Sequence, residues 1–191
     1  MGPTADLRHE HEYVCRALAG ADALAATARE TGVVDADAVS DFIAFSRGFT
    51  DGCHHAKEER LLFPRMRERG AEAEAPVAAM LQEHEGGRER IRRLEAALEP
   101  AAAGDADAVA RVAENLSAYA ALLRSHIAKE NNVLFHIADH LLNEQDGREL
   151  EEAFGRAEAE ETGPGEHDRF VAIAERLGEI AEERGDSAFC A

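Results

Sequence analysis

His54-His55-Ala56-Lys57-Glu58-Glu59-Arg60-Leu61-Leu62-Phe63 and His126-Ile127-Ala128-Lys129-Glu130-Asn131-Asn132-Val133-Leu134-Phe135 share one pattern, H-x-x-K-E-x-x-[LV]-L-F, and sit 72 residues apart. On a helix, residues four apart lie on one face. Each copy therefore aims an imidazole and a carboxylate the same way, one turn apart. Two such helices facing each other would enclose a pair of metal ions.

The surrounding chain reads as helix throughout. Its 191 residues suit one domain with a sizeable core. It is rich in Ala, Glu, Leu and Arg, lacks Trp and has five Pro. A first helix is expected over about Asp6–Thr31, with Thr4 as its cap and Gly32 as its stop. A second runs from about Asp35 to Arg69, where Pro64 should bend or break it because proline removes a backbone donor. A third covers about Ala75–Glu99, with Pro76 tolerated in its first turn. Pro100–Gly104 reads as a linker. A fourth helix runs from Asp105, as cap, to about Asn143. Residues 1–143 thus predict an all-α, antiparallel up-down four-helix bundle. Residues 144–191 form a C-terminal helical extension packed on it: a short helix from Gly147, a turn at Glu161–Gly165, and a last amphipathic helix over Glu166–Arg184.

Helix lengths test this arrangement. About 20 residues follow His11 in its helix and about 19 precede His54, so at roughly 1.5 Å per residue the two lie at one depth. About 15 follow His84 but about 21 precede His126, a poorer match for the second pair.

The chain looks internally duplicated. Glu10-His11-Glu12 recurs as Glu83-His84-Glu85, each ahead of an H-x-x-K-E motif. The candidate metal ligands are His11, His54, Glu58, His84, His126 and Glu130. A single His-x-x-x-Glu is usually a surface ion pair. Its duplication in matched context, before an apolar Leu-Phe pair, argues for a site. Imidazole with carboxylate suits iron, manganese or zinc rather than calcium or magnesium. Two carboxylates on opposed helices can bridge two metals, and two histidines can complete each. Water, oxide, dioxygen, peroxide or nitric oxide would take the remaining positions.

The order H…HxxxE…H…HxxxE, with His54-His55-x-Lys57-Glu58-Glu59-x-x-Leu62-Phe63-Pro64 in the second helix, resembles the hemerythrin-like family of HHE cation-binding domains. The resemblance spans about residues 5–143. It implies a four-helix bundle with a non-haem di-iron centre, two irons bridged by carboxylates and an oxo or hydroxo group, held by the six residues above. It implies a small oxidant (O2, H2O2 or NO) as ligand. Oxygen-carrying members have a second histidine one turn after the first in their third helix. Here that position is Arg88, which argues against simple reversible oxygen carriage. Gly86 and Gly87 interrupt this helix, and Gly87 leaves room either for an exogenous ligand or for tight packing.

Other residues are read more plainly. His55 points away from His54 and is expected at the surface or behind the ligands. The pair His55/Glu59 is the alternative register. His9 is expected exposed, and His136 and His140 lack partners. His167 could reach the bundle mouth as a fifth ligand. Cys15 faces inward, as a packed residue or an oxidisable thiol, and Tyr119 shares the stripe of His126. Three cysteines without a C-x-x-C pair are expected to be reduced thiols.

A net charge of −18 argues against nucleic acid and anionic membrane as partners. No 18-residue apolar run exists and the N-terminus lacks a secretory pattern, so a cytoplasmic location is expected. Oligomeric state is not readable. The leading expectation is a di-iron protein that binds and processes peroxide, dioxygen or nitric oxide, with relevance to oxidative stress. The alternatives are an oxygen, redox or iron sensor-binder without turnover, and a structural zinc bundle.

Overall fold

The computed structural model describes residues 3–159, 165–185 and 190. Four helical rods carry the bundle. The first is α1 (Pro3–Thr31), ended by Gly32, whose φ of 72° suits a residue without Cβ. The second rod begins with α2 (Ala36–Phe45), capped by the Asp35 carboxylate, which accepts from the Ala38 amide. It continues through π-helical turns at Ser46–His55 and Glu58–Leu62 into α3 (Phe63–Arg69). The third is α4 (Glu74–Ala102). The fourth is α5 (Ala106–Lys129), capped by Asp105, followed by a π turn at Glu130–Leu134 and α6 (Phe135–Leu141). Neighbouring rods run antiparallel.

Three local expectations need correction. Pro64 does not break the second rod. The π turn before it, where the Phe63 amide reaches back to Glu58, widens the helix and accommodates the missing donor. The same turn recurs at Glu130–Leu134, where no proline follows, so it belongs to the duplicated motif. Thr4 is not a cap: it lies inside α1 and its hydroxyl donates to Asp139 at 2.7 Å. Pro100 does not open a linker, because α4 continues through it to Ala102. That extension removes most of the depth mismatch between His84 and His126.

Two large apolar clusters flank a polar layer, and a small third one, Ala19, Ala23 and Ala181, lies between α1 and the C-terminal helix over Glu166–Glu183. One large cluster includes Val14, Leu18, Phe42, Phe45, Phe49, Leu94, Leu116 and Ile127. The other includes Leu7, Leu62, Phe63, Met66, Val77, Met80, Leu134 and Phe135. His11, His54, Glu58, His84, His126 and Glu130 lie at the junction of the two clusters along the rods, and all are buried.

The C-terminal helices lean on α1. α7 (Glu144–Ala157) starts with a capping box in which Asn143 and Asp146 satisfy each other's backbone amides. Buried Asp146 also accepts from Arg65 at 2.6 Å and Arg69 at 2.5 Å, pinning α7 to α3. α8 (Glu166–Glu183) lies against α1, so close that a Cβ on Gly20 would stand 2.5 Å from the Leu177 carbonyl oxygen. The turn expected at Glu161–Gly165 falls outside the described residues, apart from Gly165. A disulfide joins Cys15 on α1 to Cys190, 175 residues away. The expectation of three reduced thiols is therefore wrong for two of them. A pairing made by the path of the C-terminal segment leaves no spacing signal. Cys53 is buried and outside the disulfide. No helix among the described residues is long and apolar enough to cross a membrane.

Candidate metal centre

Two groups of buried donors face each other across the bundle axis. His11, His54 and Glu130 form one; His55, Glu58, His84 and His126 form the other. Within the first, the Nε2 atoms of His11 and His54 are 3.1 Å apart. Within the second, those of His84 and His126 are also 3.1 Å apart. Two imidazole nitrogens each about 2.0–2.1 Å from one ion would be separated by about 3.0–3.4 Å.

The two carboxylates span the groups. Glu130 places Oε2 3.2 Å from His11 Nε2 and Oε1 3.2 Å from His126 Nε2. Glu58 places Oε1 3.8 Å from His54 Nε2 and Oε2 3.5 Å from His84 Nε2. Both carboxylates are wholly buried, and none of their oxygens has a hydrogen-bond partner among the described residues. The same holds for both ring nitrogens of His55. Buried polar atoms without partners are costly. Their convergence is what a pair of cations would relieve, so the residues fit a two-metal site.

The electrostatics agree. Burial raises both carboxyls. At Glu58 the charge of Glu130 raises it further, whereas at Glu130 the facing imidazoles of His126 and His11 outweigh burial and hold it ionised. Burial lowers His54 to about 4 and also lowers His55 and His84. These rings are neutral at pH 7, with a lone pair to offer. His126 is buried too, but the charge of Glu130 and contact with Glu83 bring it up to about 9.

Behind the imidazoles lies a repeated support. His54 Nδ1 donates to Glu10 at 2.8 Å, and Glu10 is backed by Lys57. His126 Nδ1 donates to Glu83 at 3.0 Å, and Glu83 is backed by Lys129. His84 Nδ1 donates to Glu59 at 2.7 Å, with Arg88 on the same oxygen at 2.7 Å. His11 Nδ1 meets the Asn131 side-chain oxygen at 3.1 Å, and Arg8 holds Asn131 through its carbonyl at 2.8 Å. Each ring thus has an acceptor that turns Nε2 inward, and each acceptor has a cation behind it.

These contacts explain the length of the motif. Glu10 and Glu83 occupy equivalent positions, as do Lys57 and Lys129, and Glu59 and Asn131. Their recurrence around the expected ligands is the sequence signal for these supporting contacts.

His55 is the main correction. It is buried, not at the surface, and stacks on His84. The π turn over Ser46–His55 explains this. The Ala56 amide bonds to the Asp51 carbonyl, widening the turn, so His54 and His55 address different donor groups. Glu59 is not its partner but supports His84. Arg88, standing where a further histidine was sought, binds Asp51 at 2.8 Å as well as Glu59.

The remaining candidates settle as follows. His9, His136 and His140 are exposed. His167 packs on Phe49 at 5.8 Å between ring centroids and belongs to neither donor group. Tyr119 is buried, edge-on to Phe42 at 5.5 Å. With His55, His84, Gly87 and Arg88 it lines a cavity of about 160 Å³.

The model of the hemerythrin HHE cation-binding domain matches residues 2–138. The chain belongs to the hemerythrin HHE cation-binding family. This HHE domain is also similar to proteins described only as uncharacterised: Rv1995 and MT2051 of two Mycobacterium tuberculosis strains, and Mb2018 of Mycobacterium bovis. Each is 25% identical over 150 residues, covering 78% of this chain and 57% of the relative. The chain therefore spans little more than half the length of these relatives. No solved structure matches it.

Proposed function

We propose that this HHE domain holds two iron ions and binds and processes a small oxidant: hydrogen peroxide, dioxygen or nitric oxide. The observation that carries the reading is the set of seven buried donors in two groups, two of them carboxylates that reach both groups and have no hydrogen-bond partner among the described residues. The donor count favours iron over zinc. His55, His84 and His126 with one oxygen of each carboxylate give one ion five donors. His11 and His54 with the other oxygens give the second ion four. Structural zinc closes at four, whereas a six-coordinate iron would keep places for an exogenous ligand on both sides. When bound, such ions supply Lewis acidity and electron transfer.

The chain's own residues do the rest. Glu10, Glu83, Glu59 and Asn131 hold the imidazoles in register. The apolar clusters keep bulk water from the layer above and below. The cavity beside His55 and Gly87 admits a molecule of a few atoms. Tyr119, pushed up to about 12 by burial, keeps its proton at neutral pH beside that cavity. Asp51, which also lines the cavity, is tied to Arg88, and we assign the chemistry to the metals.

The test is to load the full chain with ferrous iron without oxygen, count the metal, and add peroxide while following the visible spectrum and oxygen release. Two irons per chain and repeated peroxide consumption support the reading. A single spectral change without turnover favours the sensor-binder. Retention of zinc with no uptake of iron overturns the reading.

A further inference from the structure

A second cavity, of about 850 Å³, opens between α1 and α8. Its wall carries His11 and Asn131 of the donor layer, Arg8 and Arg16 among four glutamates (Glu12, Glu175, Glu179 and Glu182), and both halves of the Cys15–Cys190 disulfide. Cys15 lies one helical turn beyond His11 on α1 and is itself nearly buried. Cys15 belongs to the larger apolar cluster and Cys190 packs against it, so the bond joins the core to the cavity wall. The bond also lines the same cavity as His11.

We propose that Cys15 and Cys190 are a redox-active pair that reduces hydrogen peroxide within this cavity, independently of the metals. In the reduced pair, Cys15 Sγ attacks one peroxide oxygen. The O–O bond breaks and the departing oxygen leaves as water with the thiol proton, so Cys15 becomes a sulfenic acid. Cys190 Sγ then attacks Cys15 Sγ, the S–O bond breaks, and a second water leaves with the Cys190 proton. Two thiols lose two electrons and peroxide gains them. An external thiol or dithiol restores the pair by exchange, itself becoming a disulfide. Cys53 takes no part: it lines a different pocket, with Lys57 and Arg60.

The experiment uses the full chain loaded with zinc, which occupies imidazole and carboxylate donors without redox chemistry. After reduction and removal of reductant, one equivalent of hydrogen peroxide should remove two thiols per chain and link the peptides of Cys15 and Cys190. In Cys190→Ser the reaction should stop with one added oxygen on Cys15, captured by a sulfenic-acid reagent. Cys53→Ser should behave as the parent. Circular dichroism checks that each variant is folded. Oxidation of Cys53 ahead of the pair, or survival of both thiols in excess peroxide, overturns the proposal. Neither result touches the di-iron reading, which is tested by iron uptake and the iron-dependent spectrum.

Discussion

The rings of His55 and His84 stack with centroids 3.8 Å apart and planes 14° from parallel. They come from different rods, and the stack carries His55 into the group of Glu58, His84 and His126. His55→Ala should therefore weaken one ion selectively. We expect its affinity to fall at least about tenfold while the ion at His11 and His54 remains. Glu58→Ala or Glu130→Ala should release both, since each carboxylate reaches both groups. Metal per chain after gel filtration measures this, and two tightly held ions in His55→Ala would remove His55 from the ligand set.

Glu10→Gln and Glu83→Gln keep an acceptor for His54 and His126 but remove the charge that Lys57 and Lys129 balance. Changes of this kind behind a metal ligand typically cost about 10–100-fold in affinity. The two variants should fall by similar factors, because the duplicated halves use the same contact. Competition against a chelator reads the constants. No change in either would show that these carboxylates serve packing alone.

Two glycines should respond oppositely to alanine. At Gly87 a Cβ would meet Tyr119 at 3.5 Å and Leu123 at 3.6 Å, ordinary contact distances. Gly87→Ala should stabilise the helix by about 0.5–1 kcal/mol. At Gly20 the Cβ collides with the backbone of Leu177, and Gly20→Ala should cost about 1–3 kcal/mol by forcing α8 away from α1. Denaturant midpoints give both signs. The larger Gly87→Leu should also invade the small cavity and weaken azide or nitric oxide binding to the iron-loaded chain.

Arg69 first, then Arg65 and the Asn143 amide, hold the Asp146 carboxyl well below the usual carboxylate range. A depressed carboxyl stabilises the fold above its unfolded pKa, near 4, and that contribution is lost as pH falls through the folded value. Acid should therefore loosen α7 from α3. Asp146→Asn should be less stable at neutral pH and show a shallower loss below pH 4. Thermal melts across that range check it, and parallel curves for parent and variant would refute it.

Much of this is legible in the sequence. Spacing and caps placed the helices, with Asp105 an N-cap as expected, and the duplicated motif picked out six residues that the fold gathers in one buried layer. What escaped notice has a physical cause in each case. His55 was turned outward by assuming about 100° per residue, and the π turn at Ser46–His55 changes that register. Pro64 looked like a break because a wide turn in front of it leaves no mark in hydrophobic periodicity. The partner of Cys15 was hidden by its distance along the chain. Glu10 and Glu83 precede histidines directly in the chain, and only the fold shows that each supports the histidine of another helix.

The position equivalent to His55 in the second copy is Ile127, packed in the apolar core. The first half supplies an imidazole at this position and the second an apolar side chain, just as Glu59 of the first is matched by Asn131 in the second. The two-fold repeat of the sequence therefore stops short of the donor layer, whose two ends are chemically unequal.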